Sequence, residues 1–182
     1  LERLKKHFTY GELSDALETV RSQLDEPATM QETTRSMLTL ARSNYELEIP
    51  PDADPSELVV FPYSENETHG LEDLRLVMFT DDDGTKCYYG TYTAFNGHHI
   101  VPQILQINPD GRIEVHTTTG RYARNKGMAL FPRRVGGLYM MISRLDGENL
   151  YLMESTNVRF WNDAELLQKP RFSWELVQIG NC

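Results

Sequence analysis

A mostly-β fold with a helical N-terminal segment is predicted by three features of this 182-residue chain. Apolar residues recur at helical spacing only before residue 43, in the stripe Leu13, Leu17, Val20 and Leu24. Beyond it, short alternating runs are separated by turn dipeptides: Asn96-Gly97, Asp110-Gly111, Gly136-Gly137 and Asp146-Gly147. Finally, Glu72-Asp73-Leu74-Arg75-Leu76-Val77, a turn, and Tyr88-Tyr89-Gly90-Thr91-Tyr92 are echoed about fifty residues later by Met128-Ala129-Leu130-Phe131-Pro132, a turn, and Leu138-Tyr139-Met140-Met141-Ile142. Each such unit has room for four strands, which favours blades of a β-propeller over a sandwich or barrel.

Taken in order, Thr9-Tyr10-Gly11-Glu12 has the form of a capping box, in which side chains satisfy otherwise orphan backbone N–H groups. The helix it opens ends before Pro27, and a weaker helical stretch covers Gln31 to Leu40. Residues 1–42 thus read as a helical segment inserted between propeller strands, and 43–182 as about two to two and a half blades of an incomplete propeller. Ser43–Ile49 alternates as a strand, and the prolines at 50, 51 and 55 mark a loop. Strands are then expected at Glu57–Phe61, Leu71–Phe79, Cys87–Phe95, Ile100–Ile107, Arg112–Thr118, Met128–Arg133, Leu138–Arg144, Leu150–Ser155 and Trp174–Ile179. Opening on Leu1 and stopping just past a strand-like run, the chain reads as truncated, and an isolated piece of this kind is expected to be marginally stable and inactive.

A net charge of −9 denies the chain the basic face that nucleic acid or an anionic membrane requires, so neither is an expected partner. Two cysteines make no disulfide framework, and no Cys/His pair has metal-ligand spacing, so no metal is expected. Neither a signal peptide nor a membrane-length apolar run is present, which reads as a cytoplasmic protein. Asn66-Glu67-Thr68 matches a glycosylation acceptor, a pattern that also arises by chance.

The segment richest in reactive groups is Gly70-Leu71-Glu72-Asp73-Leu74-Arg75. Strand alternation would put Asp73 and Arg75 on one face and Glu72 on the other. A carboxylate held beside a guanidinium suits an acid catalyst, but a purely structural Asp–Arg pair at a blade end fits the pattern better. Lys126, entering an apolar strand, could hold an anion or a sugar hydroxyl, or be a solvated turn residue. Trp161 and Trp174 could stack on a sugar ring, although large aromatics more often fill cores. The five histidines form no cluster.

With these residues in view, the chain resembles glycoside hydrolase family 130, the β-mannoside phosphorylases and mannosidases, from about Ser43 to Cys182. The resemblance rests on Gly70–Arg75, Gly90–Phe95, Asn125–Pro132 and Gly147–Leu152, in that order. It implies a five-bladed propeller that inverts configuration at a β-mannosidic bond, with Asp73 as the general acid. The proton would reach the leaving oxygen through a mannose hydroxyl. Asn44, Arg75, Tyr92, Lys126 and Arg144 are carried over as substrate-binding residues, Lys126 matching a lysine that phosphorylases use for phosphate. The implied partner is a β-mannoside oligosaccharide, with homo-oligomerisation open and no cofactor; inorganic phosphate would be a co-substrate only in a phosphorylase.

Three departures bear on the acceptor. Leu74 replaces the usual Pro or Ala, Pro102-Gln103 stands where phosphorylases carry an arginine, and Ser143-Arg144 replaces a frequent His-Arg. Fewer charge-assisted bonds weaken a dianion site, so hydrolysis is favoured over phosphorolysis. Inverting hydrolysis needs a second carboxylate as base, roughly 6.5–9.5 Å from the acid, and the sequence does not name it. A non-catalytic sugar-binding or interaction propeller is the reading from another class.

Overall fold

A computed structural model describes residues 4–5, 8–23, 28–50 and 52–176. Two helices come first, α1 (Tyr10–Gln23) and α2 (Ala28–Arg42). The capping box forms as read: the Thr9 amide donates to Glu12 Oε2 at 2.8 Å and the Glu12 amide to Thr9 Oγ1 at 3.2 Å. Leu24 and Pro27 lie outside the described residues.

Among the described residues nine strands follow: β1 (Tyr45–Leu47), β2 (Leu71–Thr80), β3 (Lys86–Phe95), β4 (Ile100–Ile107), β5 (Ile113–Thr117), β6 (Lys126–Leu130), β7 (Tyr139–Arg144), β8 (Leu150–Ser155) and β9 (Asp163–Gln168). They form two antiparallel sheets, one ordered β1-β5-β4-β3-β2 and the other β6-β7-β8-β9. Consecutive strands are neighbours from β2 to β5 and again from β6 to β9, so each sheet contains a four-stranded meander. The main core lies between the sheets. Phe79, Tyr89 and Ile104 from the first meet Met128, Leu130, Met141 and Met153 from the second, with Trp161 fully enclosed beside them. The Thr91 hydroxyl ties the layers by donating to the Met128 carbonyl at 2.6 Å. A smaller core, with Tyr92, Ala94, Leu105, Ile113 and Val115, lies on the opposite face of the first sheet. Gly120 is needed where the chain crosses the Trp161 backbone, since a Cβ there would collide with it. Among the described residues, no helix is long and apolar enough to cross a membrane.

One expected strand fails, and another is replaced by a turn over its described residues. Within 57–61, Pro55–Glu57 forms a 3₁₀ turn, held by Asp54 accepting from the Ser56 amide at 2.8 Å, and 58–63 pairs with nothing. Pro62 has no N–H to give a ladder, and Val59, Phe61 and Tyr63 point largely to solvent. Near the other end, Ser173–Glu175 is a 3₁₀ turn, because Glu175 folds back to accept from the Arg171 amide at 2.6 Å; residues 177–179 lie outside the described ones. Strand β9 was not expected at all.

Candidate functional site

The first strand of each meander is interrupted in the same way. In β2 the register with β3 slips between Glu72 (opposite Thr93) and Arg75 (opposite Thr91), so Asp73 and Leu74 together face one residue, Tyr92. In β6 the register with β7 slips between Lys126 (opposite Arg144) and Ala129 (opposite Ile142), so Gly127 and Met128 together face Ser143. Both are β-bulges, and the first bulged residue is left-handed in each: φ is 59° at Asp73 and 79° at Gly127. Glycine adopts that conformation freely, whereas an L-residue with a Cβ is strained in it. Asp73 therefore occupies a glycine-type position.

The bulge corrects the expected alternation. Because Thr93 and Thr91 share a face of β3, Glu72 and Arg75 share a face of β2, and Asp73 belongs to the extra pair that breaks the period. Leu74 lies over Gly90, where a Cβ would come within 2.7 Å of its Cδ1, so the missing side chain at 90 gives the bulge its room.

Asp73 is exposed and stands with Glu72 at the rim of a pocket of about 360 Å³. Its other walls are Val60, Leu71, Leu74, Tyr92, Leu105 and Val115. An apolar, partly aromatic hollow with few polar groups at its edge is the usual form of a small-molecule site.

Tyr92 is fixed from behind by a residue that sequence reasoning passed over. Glu67 is fully buried and accepts from the Tyr92 hydroxyl (2.7 Å), the Tyr45 hydroxyl (3.1 Å) and the amides of Tyr63 (2.9 Å) and Ser64 (2.8 Å). Burial, reinforced by Tyr45 and by the Glu67 charge, pushes the Tyr92 hydroxyl far above the ordinary phenol range, so it remains a donor. Burial and then Glu67 do the same to Tyr45. The available signal was Ser64-Glu65-Asn66-Glu67, itself a capping-box pattern, of which the structure forms the Glu67 half around a 3₁₀ turn. Asn66 of the same turn is 9% exposed and donates to Ser43 Oγ at 2.9 Å.

The remaining candidates divide. Lys126 Nζ reaches Glu72 Oε1 at 3.1 Å, joining β6 to the pocket rim through Glu72 and not through Asp73. Arg144 is buried opposite Lys126, and Arg75 is half-buried on the face turned to the second sheet. Asn44 is elsewhere, accepting from the Thr117 amide at 3.3 Å and contacting His116 Nδ1 at 3.2 Å; it ties the end of α2 to β5. The structure thus brings Asp73 and Tyr92 to one pocket, adds Lys126 at its edge through Glu72, and leaves Asn44 out. Of the tryptophans, Trp161 is core and donates to the Val158 carbonyl at 2.9 Å, while Trp174 is 77% exposed and stacks on Phe172 at 4.6 Å. Gln103 is fully buried and stands opposite Tyr92.

Two other carboxylates, one in the pocket lining and one behind Tyr92, are engaged in other work. Glu72 is partnered by Lys126, and Glu67 is enclosed by four donors, so neither is placed to activate water. Compared with known proteins, the chain matches no protein-family model, and no curated protein matches it.

Proposed function

We propose that this chain is part of a carbohydrate-active β-propeller that cleaves β-mannosides with inversion, with Asp73 as general acid and water as the favoured acceptor. The observation that carries this reading is Asp73 itself: an ionisable residue in a strained, glycine-type bulge, exposed at the mouth of an apolar pocket walled by Tyr92. Strain of this kind concentrates at functional sites. Supporting the propeller are two meanders packed face to face, each beginning with a bulged strand, with those two strands linked by the Glu72–Lys126 pair. Two meanders do not close a ring, so further blades complete the channel on this reading.

In the proposed reaction the glycosidic C–O bond breaks as Asp73 supplies a proton to the leaving oxygen, through a hydroxyl of the sugar. Water adds to the opposite face of the anomeric carbon and gives up its proton to a base contributed from beyond the groups described above. Hydrolysis is preferred to phosphorolysis because Lys126 already carries a carboxylate partner, which weakens it as an anchor for a dianion. The test is to incubate the intact protein with β-1,2- and β-1,4-linked mannosides, with and without phosphate. Free mannose supports the proposal, mannose 1-phosphate moves the reading to a phosphorylase, and no turnover moves it to a binding propeller. Asp73→Asn should abolish turnover and leave folding intact; an unchanged rate would remove Asp73 from the chemistry.

A further inference from the structure

A cleft of about 510 Å³ lies where the start of α1, the end of α2 and the turn before β2 meet. It shares no lining residue with the Asp73 pocket. Glu67 links the two, accepting from the Tyr92 hydroxyl of that pocket and from the Tyr45 hydroxyl of this cleft. Tyr10 of α1, Tyr45 of β1 and Tyr63 of the unpaired segment 58–63 are among its walls. The Tyr45 and Tyr63 rings lie 4.9 Å apart with 53° between their planes, so they form a corner and not a stack. Tyr63 is 73% exposed while its amide is anchored to buried Glu67 at 2.9 Å, which presents the ring to solvent from a fixed backbone.

Polar groups converge on the same space. Arg42 and Glu65 line it and face each other at 3.4 Å, which is long for a charge-assisted bond and leaves both with bonding capacity. Ser64 lines it as well. That residue is 4% exposed, and its hydroxyl meets no hydrogen-bond partner among the described residues. A buried hydroxyl left unpaired costs free energy that a bound ligand group recovers. Asn44 serves only as wall, since its amide oxygen accepts from Thr117 and its amide nitrogen donates to Leu40.

We propose that this cleft binds a hexopyranose ring, as a sugar site separate from the Asp73 pocket and independent of any cleavage there. A pyranose offers an apolar face of C–H groups, which covers an aromatic ring, and edge hydroxyls that both donate and accept. Glu65 can only accept and Arg42 can only donate, so two neighbouring hydroxyls satisfy both at once, while Ser64 can do either. An organic cation fits less well, because the Arg42 guanidinium already lies 4.7 Å from the Tyr10 ring centre. Aromatic walls with a few convergent polar groups, in a volume of this size, are the usual make-up of a small-molecule site.

The test is titration of the intact protein with the methyl pyranosides of glucose, galactose and mannose, followed by protein NMR shifts. Sorbitol, which has the hydroxyls without the ring, and tetramethylammonium serve as controls. At least one pyranoside should saturate a site with a Kd of about 1–10 mM that survives Asp73→Asn, and both controls should bind at least about tenfold more weakly. Tyr63→Ala keeps the backbone anchor and should weaken that site by about tenfold, whereas Tyr63→Phe keeps the ring and should leave it unchanged. Ser64→Ala should weaken it by about three- to tenfold with an unaltered or raised melting temperature, since it removes a hydroxyl that the fold leaves unpaired. No saturation up to about 50 mM, equal binding of sorbitol, tighter binding of tetramethylammonium, or full affinity in both Tyr63→Ala and Ser64→Ala overturns the proposal. None of these outcomes bears on Asp73.

Discussion

Asp73 can be probed through its backbone independently of any assay of activity. At φ 59° a Cβ costs about 1–2 kcal/mol, with aspartate near the lower end because its short polar chain tolerates the left-handed region. Replacing it by glycine removes that cost and returns about 0.4–1 kcal/mol through the greater freedom of the unfolded chain. The carboxylate makes no hydrogen bond or ion pair among the described residues, so little else is lost. Asp73→Gly should therefore leave stability unchanged or raise it by up to about 1 kcal/mol, whereas Asp73→Ala keeps the Cβ, loses the aspartate tolerance and should destabilise by about 1 kcal/mol. The contrast between the two variants isolates the backbone. The contrast is about 1–2 kcal/mol in denaturant titration, or for a chain of this size a melting difference of roughly 2–8 °C by calorimetry. If alanine proves as stable as glycine, or if glycine destabilises by more than about 1 kcal/mol, the carboxylate holds the fold together and the strain argument fails.

Three further outcomes follow from the same geometry. Glu67→Gln leaves one oxygen where two accept four donors in a fully buried site, and should cost about 2–4 kcal/mol in denaturant titration; a neutral effect would show that the network is dispensable. At Asp146, partial burial would raise the pKa, but hydrogen bonds from the Asn149 side chain and amide, the Glu148 amide and the Tyr151 hydroxyl outweigh it and hold the carboxyl well below its usual range. A depressed folded pKa stabilises above the unfolded value of 3.8 and is lost as pH falls toward the folded one, so the stability gap between wild type and Asp146→Asn should be flat from about pH 7 to 5 and shrink below about pH 4. Asn66 should carry no glycan when the protein is expressed through a secretory route, because its amide nitrogen is buried and committed to Ser43; a glycopeptide at this site in mass spectrometry would contradict that packing.

Most of the β architecture was legible because its turns are written in glycine pairs and its strands alternate. Ile100–Ile107 matches β4 at both ends, and Leu71–Phe79, Cys87–Phe95 and Leu150–Ser155 match β2, β3 and β8 within a residue. The failures have local causes. Leu58–Phe61 is as apolar as a strand, but Pro62 and the Asp54 turn deny it a ladder, so its apolar side chains stay outside. The β9 segment Asp163–Gln168 is an edge strand with most side chains exposed, so it carries no burial period to read. At the site, the identity of Asp73 was visible and its placement was not. Strict alternation set it beside Arg75, and only the register slip shows the bulge that sends Glu72 and Arg75 to one face. Glu67 escaped notice because its partners Tyr45 and Tyr92 are 22 and 25 residues away, a distance that no local pattern spans.

The role of Asp73 is tested most directly by how its removal depends on the leaving group. A sugar leaving group needs a proton, whereas an activated aryl group of low pKa departs without one. Comparing wild type with Asp73→Asn on a mannosyl-mannoside and on an activated aryl β-mannoside, the account predicts a rate loss of about 10²–10⁴-fold on the first and less than about tenfold on the second. Equal losses on both substrates, or no loss on either, would contradict it.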